Sequence, residues 1–113
     1  MDPLSMLLWA AVWAGVAAGI YVTVYFVDLT LEIIASWFRR FAHLIVQNDR
    51  RAIGDRDYLA FTVKQAINTG NYKIAQGIFN TRTEEIYDAR AIEAGSLDSK
   101  IQSEHRFKEV VIW

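Results

Sequence analysis

The chain has 113 residues, 53% of them apolar, 13% aromatic and 22% charged, with one proline and no cysteine. These values exclude a disordered chain, a disulfide scaffold and a basic nucleic-acid tail. The net charge of −1 hides an asymmetry: residues 1–38 carry no Lys or Arg and three acids, Asp2, Asp28 and Glu32, whereas residues 39–113 carry all twelve basic residues and ten acids.

From Pro3 to Val27 the sequence reads PLSMLLWAAVWAGVAAGIYVTVYFV, with no ionisable side chain except two tyrosines. As one helix this segment would be about 37 Å long, enough to cross a hydrocarbon core of about 30 Å. Residues 1–27 are therefore expected to form an N-terminal transmembrane anchor. A cleaved signal peptide fits less well, because the start is Met-Asp-Pro rather than basic, the apolar run is long, and no small-x-small site precedes a polar segment. The other alternative is a central helix buried in a soluble oligomer.

Within the span, Ala11, Gly15 and Gly19 recur every four residues. Small residues at that spacing let two helices approach closely in lipid, so these three are the expected helix-packing positions. Arg39, Arg40, Arg50 and Arg51 flank the C-terminal side, while the N-terminal flank holds only Asp2. The expected localisation is a single-pass membrane protein, as in a bacterial inner membrane, with its N-terminus outside and its C-terminus cytoplasmic. The lack of cysteine agrees with a reducing compartment.

Apolar character continues beyond Asp28, and two placements compete. A span over 4–27 puts Trp9 and Tyr25 near the interfaces; a span over 14–37 uses Trp13 and Trp37 instead. The second leaves Asp28 and Glu32 in the bilayer at a cost of about 2 kcal/mol or more each, so the first is preferred. Residues 28–47 then form an amphipathic juxtamembrane helix, whose apolar face holds Leu29, Ile33, Trp37, Phe41 and Leu44 or Ile45. The expected membrane-interface residues are Trp9, Trp13, Trp37, Phe41, Arg39 and Arg40. Asp28 and Glu32 have the spacing of a paired-carboxylate site, but no third ligand stands nearby, and a solvated face is the preferred reading.

Residues 48–113 are expected to form a small α+β cytoplasmic module. The polar run QNDRRAIGDRD reads as a connector. DYLAFTVKQAINTGN fits both a strand and a helix, with a helix preferred for its Asp start and its Thr-Gly-Asn stop. Alternation from Tyr72 to Phe79 and from Ile86 to Ile92, around NTRTEE, predicts a hairpin, with Gly77 marking a bulge or a close backbone approach. Ser96 precedes a predicted helix of about ten residues carrying Leu97, Ile101 and His105 on one face. Glu109–Trp113 reads as a final strand at an edge beside the hairpin. The fold class is thus α+β: an N-terminal transmembrane helix with an amphipathic extension, followed by a module of a β-hairpin, short helices and a C-terminal strand.

Catalytic chemistry finds no support. His43 and His105 lie far apart, and nucleophile, phosphate-loop and metal-ligand motifs are missing, so no enzyme, cofactor or metal is expected. Arg50, Arg51, Arg56 and Tyr58 are interleaved with Asp49, Asp55 and Asp57, which argues against nucleic acid. A module of about 60 residues without disulfides or metal is marginal alone and needs a surface to pack on. The expected function is a non-catalytic structural subunit or tether in a membrane-associated assembly, partnered by the lipid bilayer and by other membrane subunits or itself. A ligand-sensing or regulatory module is the alternative.

Overall fold

Asp2 opens the first helix. Its carboxylate accepts the Ser5 N–H at 3.0 Å, and Pro3 fills the first helical position, where no N–H is needed. The computed structural model describes residues 2–48, 58–65 and 71–113, with side chains as far as Arg40 in the helix ending at Asn48. In chain order the elements are α1 (Pro3–Ala17), β1 (Thr23–Leu29), α2 (Leu31–Asn48), β2 (Tyr58–Gln65), β3 (Tyr72–Asn80), β4 (Glu85–Leu97), α3 (Ser99–Glu104) and β5 (Val110–Ile112).

The expected transmembrane helix is overturned. Helix α1 stops after 15 residues, about 22 Å at 1.5 Å per residue, and among the described residues no helix is long and apolar enough to cross a membrane. Its end is a Schellman turn: Gly19 adopts φ 76°, its N–H donates to Val16 O, and the Ile20 N–H donates to Gly15 O. The chain then turns into β1. Each half of the apolar run is apolar for its own reason: the helix buries one side on the sheet, and the strand joins that sheet and turns Val24, Phe26 and Leu29 to its other face. A hydropathy average merges the two.

One sheet of five strands carries the fold, in the order β1-β4-β3-β2-β5. β1 runs parallel to β4, with Thr23 opposite Ala91 and Leu29 opposite Leu97; the other pairs are antiparallel. This pairing also overturns the single-pass topology and the membrane localisation built on it. Residues 23–29, expected in or beside the bilayer, share backbone hydrogen bonds with a strand of the segment expected wholly on the cytoplasmic side.

The helices cover the two faces of the sheet. On one, Leu8 and Val12 of α1 pack with Phe61, Val63, Ala75, Phe79, Ala89 and Val110. On the other, Ile34 of α2 and Ile101 of α3 pack with Leu29, Ile74, Ile92, Ala94 and Leu97. Burying an aliphatic or aromatic side chain of this kind contributes about 1.5–3 kcal/mol, so both faces matter to stability. The amphipathic extension is corrected accordingly: α2 turns Ile34 and Trp37 to the sheet, where Trp37 meets Ile78, and Leu29 belongs to β1.

Three further expectations change or shift. Residues 58–65 are strand β2 rather than helix, because Phe61 and Val63 alternate onto the α1 face while Thr62 faces the opposite side; Ile67 and Gly70 lie outside the described residues. The hairpin forms as β3 and β4, but β4 continues to Leu97, so Ser96 is in a strand and the cap of the six-residue helix α3 is Asp98. The ladder shifts register between Ile78 and Phe79, one residue beyond Gly77. Gly77 itself is a close approach: a Cβ there would meet the Phe61 ring at 2.7 Å and Asp88 O at 3.0 Å. The final strand lies at the sheet edge against β2.

Candidate functional site

Helix α1 has no polar side apart from Ser5, and only one stripe of it reaches the sheet: Leu8, Val12 and Gly15 are buried, with Leu4 and Trp13 partly so. Its opposite side presents Met6, Leu7 and Trp9 to the outside. The turn and β1 continue this surface with Ile20 (72% exposed), Val22 (66%), Tyr25 (59%) and Val27 (68%). No charged side chain occurs between Asp2 and Asp28, so α1 and β1 together form an uncharged flank.

β1 is also an edge strand. It pairs with β4 on one side, and no described strand lies on its other side. Edge strands are ordinarily guarded by lysine, proline, a bulge or an inward charge. From Thr23 to Val27 this one has none, and Asp28 at its end is engaged by the Ser96 hydroxyl.

No known protein family, curated protein or solved structure matches the chain.

The residues singled out in the sequence scatter over this framework. Gly15 faces inward, where a Cβ would stand 2.2 Å from the Tyr21 ring, so its small size serves a contact within the chain. Gly19 supplies the left-handed turn, and Ala11 is partly buried in α1. Trp9 lies on the exposed flank and Trp13 against the α1 core, while Trp37 is buried on the opposite face of the sheet. Arg39 reaches back along α2 to Glu32 at 2.6 Å, and Arg40 is exposed. The Arg39 guanidinium and the Ser36 hydroxyl hold the Glu32 carboxyl below its ordinary value. Asp28 and Glu32 thus have separate partners, and no cluster of three metal-ligating side chains occurs among the described residues. The side chains of Phe41 and His43, and residues Arg50, Arg51 and Arg56, lie outside the described part.

His105 is buried in a directed hydrogen-bond chain. The Trp113 indole N–H donates to Thr62 Oγ1 at 2.8 Å, Thr62 Oγ1 stands 2.7 Å from His105 Nε2, and His105 Nδ1 stands 3.0 Å from Lys108 O. A carbonyl can only accept, so Nδ1 carries the proton and Nε2 accepts from the Thr62 hydroxyl. Burial holds the imidazole below its ordinary pKa, in keeping with this neutral tautomer. Every polar atom in the chain is committed, which makes it a clasp between β2, the α3–β5 turn and the C-terminal residue.

One cleft has mixed chemistry. About 360 Å³ lies beside the C-terminal half of α1, lined by Trp13, Val16, Ala17, Thr23, Gln65, Lys73 and Glu93 among others. Lys73 and Glu93 face each other at 3.7 Å, and the buried Trp13 indole N–H has no hydrogen-bond acceptor among the described residues. The exposed β1 residues had a legible signal: VTVYFV is β-branched and aromatic, and it follows a glycine stop. The polar clasp had none, because Thr62 and His105 are 43 residues apart.

Proposed function

We propose that this protein is a non-catalytic assembly module that associates with a second copy of itself through the β1 edge. The observation that carries this reading is an unguarded edge strand with exposed Val22, Tyr25 and Val27 beside it.

The strand suits pairing with itself. Placed antiparallel about a two-fold axis at Phe26, Tyr25 lies opposite the other copy's Val27, Val24 opposite Asp28, and Thr23 opposite Leu29. No like charges meet; the central cross-strand pair is Phe26 with Phe26, and Tyr25 with Val27 on either side of it pairs an aromatic with a β-branched residue, both favourable combinations. The axis runs through the sheet, so both α1 helices fall on one side of a continuous sheet of ten strands and their uncharged flanks approach each other.

Sedimentation velocity on the full chain tests this. A dimer at micromolar concentration is expected, with slow amide exchange at Thr23, Tyr25 and Val27. Val27→Lys should give a monomer with an unchanged circular-dichroism spectrum. A wild-type chain that stays monomeric at about 100 μM, with fast exchange along β1, removes the proposal.

The cleft beside Trp13 favours a second reading, a ligand-sensing module. The Trp13 side chain in its wall and its facing Lys73 and Glu93 suit a small molecule with a ring that packs on the indole and polar ends for the two charges. A metabolite panel that shifts the melting temperature of the wild type but not of Trp13→Phe would support it; a panel without effect would dismiss it.

A further inference from the structure

The cleft beside α1 borders a row of polar side chains that the sheet sets side by side. Val63, Ala75 and Ala91 lie opposite one another on β2, β3 and β4 and face α1. Side chains two residues further along a strand return to the same face. Gln65, Lys73 and Glu93, also in register with one another, therefore form the next row outward on the α1 side. All three line the cleft, while Trp13 and Val16 wall it from the C-terminal half of α1. One side of the cleft is thus polar and the other apolar.

The Lys73 ammonium stands 3.7 Å from the Glu93 carboxylate. A charge-assisted hydrogen bond closes to about 2.8 Å, so these two groups balance each other's charge without using up their hydrogen-bonding capacity. A ligand with a single charge attracts one member of the pair and repels the other. A ligand with both signs close together engages both, its carboxylate accepting from Lys73 and its ammonium donating to Glu93. In an α-amino acid the two groups share one carbon, which holds the nitrogen and a carboxylate oxygen about 3 Å apart. That is close to the spacing of the pair it would meet.

Taking this cleft as a ligand site, as in the second reading above, we propose that it binds a free α-amino acid with an aromatic side chain. The head group lies on Lys73 and Glu93, and the ring packs against the Trp13 indole. The volume of about 360 Å³ is near the lower end of the roughly 300–1,000 Å³ of ligand sites, which suits a single amino acid better than a nucleotide or a peptide. The apolar wall favours a ring, since aromatic groups pack well on one another in offset or edge geometry. Ala91, which also lines the cleft, is small enough to leave that ring room.

The test is a titration of the full chain with L-phenylalanine, followed through the Trp13 indole N–H resonance in NMR spectra, which is assigned by its absence in Trp13→Phe. A saturable shift is expected. Phenethylamine, which lacks the carboxylate, and phenylpropionate, which lacks the ammonium, should each bind on the order of tenfold more weakly. Lys73→Met and Glu93→Gln change half-exposed side chains and leave the core intact. Each should weaken phenylalanine binding by a similar factor, Lys73→Met without weakening phenethylamine and Glu93→Gln without weakening phenylpropionate. A Trp13 resonance that does not move with phenylalanine overturns the proposal. So does equal affinity for either singly charged analogue, or unchanged phenylalanine affinity in either variant. If another member of a metabolite panel then moves the same resonance, the cleft remains a ligand site for a different class of molecule; if none does, the ligand-sensing reading falls as well.

Discussion

Tyr21 folds its ring back over Gly15, so that a Cβ at position 15 would stand 2.2 Å from one ring carbon and 2.7 Å from another. The contact closes the turn between α1 and β1 and adds the tyrosine to the core under the helix. Two opposing effects follow from Gly15→Ala. Alanine favours the helix by about 0.5–1 kcal/mol, while displacing the ring costs about 1–3 kcal/mol. Urea denaturation should show a net loss of stability in the wild-type background. In a Tyr21→Ala background the same substitution should become stabilising. A destabilisation of equal size in both backgrounds would mean that the ring is not what Gly15 accommodates.

Gly77 poses a harder obstacle. The atoms that a Cβ would meet include Asp88 O, a backbone atom of the paired strand, as well as the Phe61 ring. The ring can rotate, but the strand cannot move without breaking its ladder. Gly77→Ala should cost about 1–3 kcal/mol, measured as a lower urea midpoint with an unchanged slope.

The clasp of Trp113, Thr62 and His105 makes stability depend on pH. Burial depresses the His105 pKa below its ordinary 6.5, so the unfolded chain takes up a proton before the folded one does. The stabilisation is complete above about pH 6.5 and is lost as pH falls from there toward the depressed folded value. Melting curves between pH 7 and pH 5 should show this loss in the wild type and a flatter dependence in His105→Gln. Thr62→Val leaves the indole N–H and the imidazole Nε2 without partners and should cost about 1–3 kcal/mol at pH 7.

Asp98 links two helices through its two oxygens. One accepts the Lys100 N–H at 2.9 Å in the first turn of α3, the other the Leu31 N–H at 3.2 Å at the start of α2. The same two bonds hold its carboxyl below its ordinary value. Thermal stability should therefore fall in the order wild type, Asp98→Asn, Asp98→Ala, since asparagine keeps one acceptor oxygen. Because the folded pKa is depressed, the wild-type advantage should shrink as pH drops below the unfolded value of 3.8.

Local signals made the β3–β4 hairpin legible. Ile74 and Ile78 alternate with Ala75 and Phe79, and both sets are buried because both faces of the sheet are covered. The final strand was visible in Val110-Val111-Ile112, whereas the charge asymmetry does not mark a structural boundary, since β1 of the N-terminal part pairs with β4 in the same sheet. Strand β2 is ambiguous in the sequence because Leu59, Val63 and Ile67 fit a helical stripe as well as an alternating one, and only the pairing of Phe61 with Gly77 and Ile112 decides between them.

Residues 3–27 show where the sequence by itself stops. It determined that this segment is apolar and uncharged, and Gly19 marked where a helix could end. Whether the solvent for those side chains is lipid or the protein's own sheet depends on partners about 50 to 80 residues away, Phe61 and Val63, Ala89 and Ala91. Hydropathy measures the free energy of leaving water and carries no information about what replaces it. The parallel pairing of β1 with β4 supplied that information, because residues hydrogen-bonded to a neighbouring strand along one edge cannot also be the second half of a membrane-spanning helix.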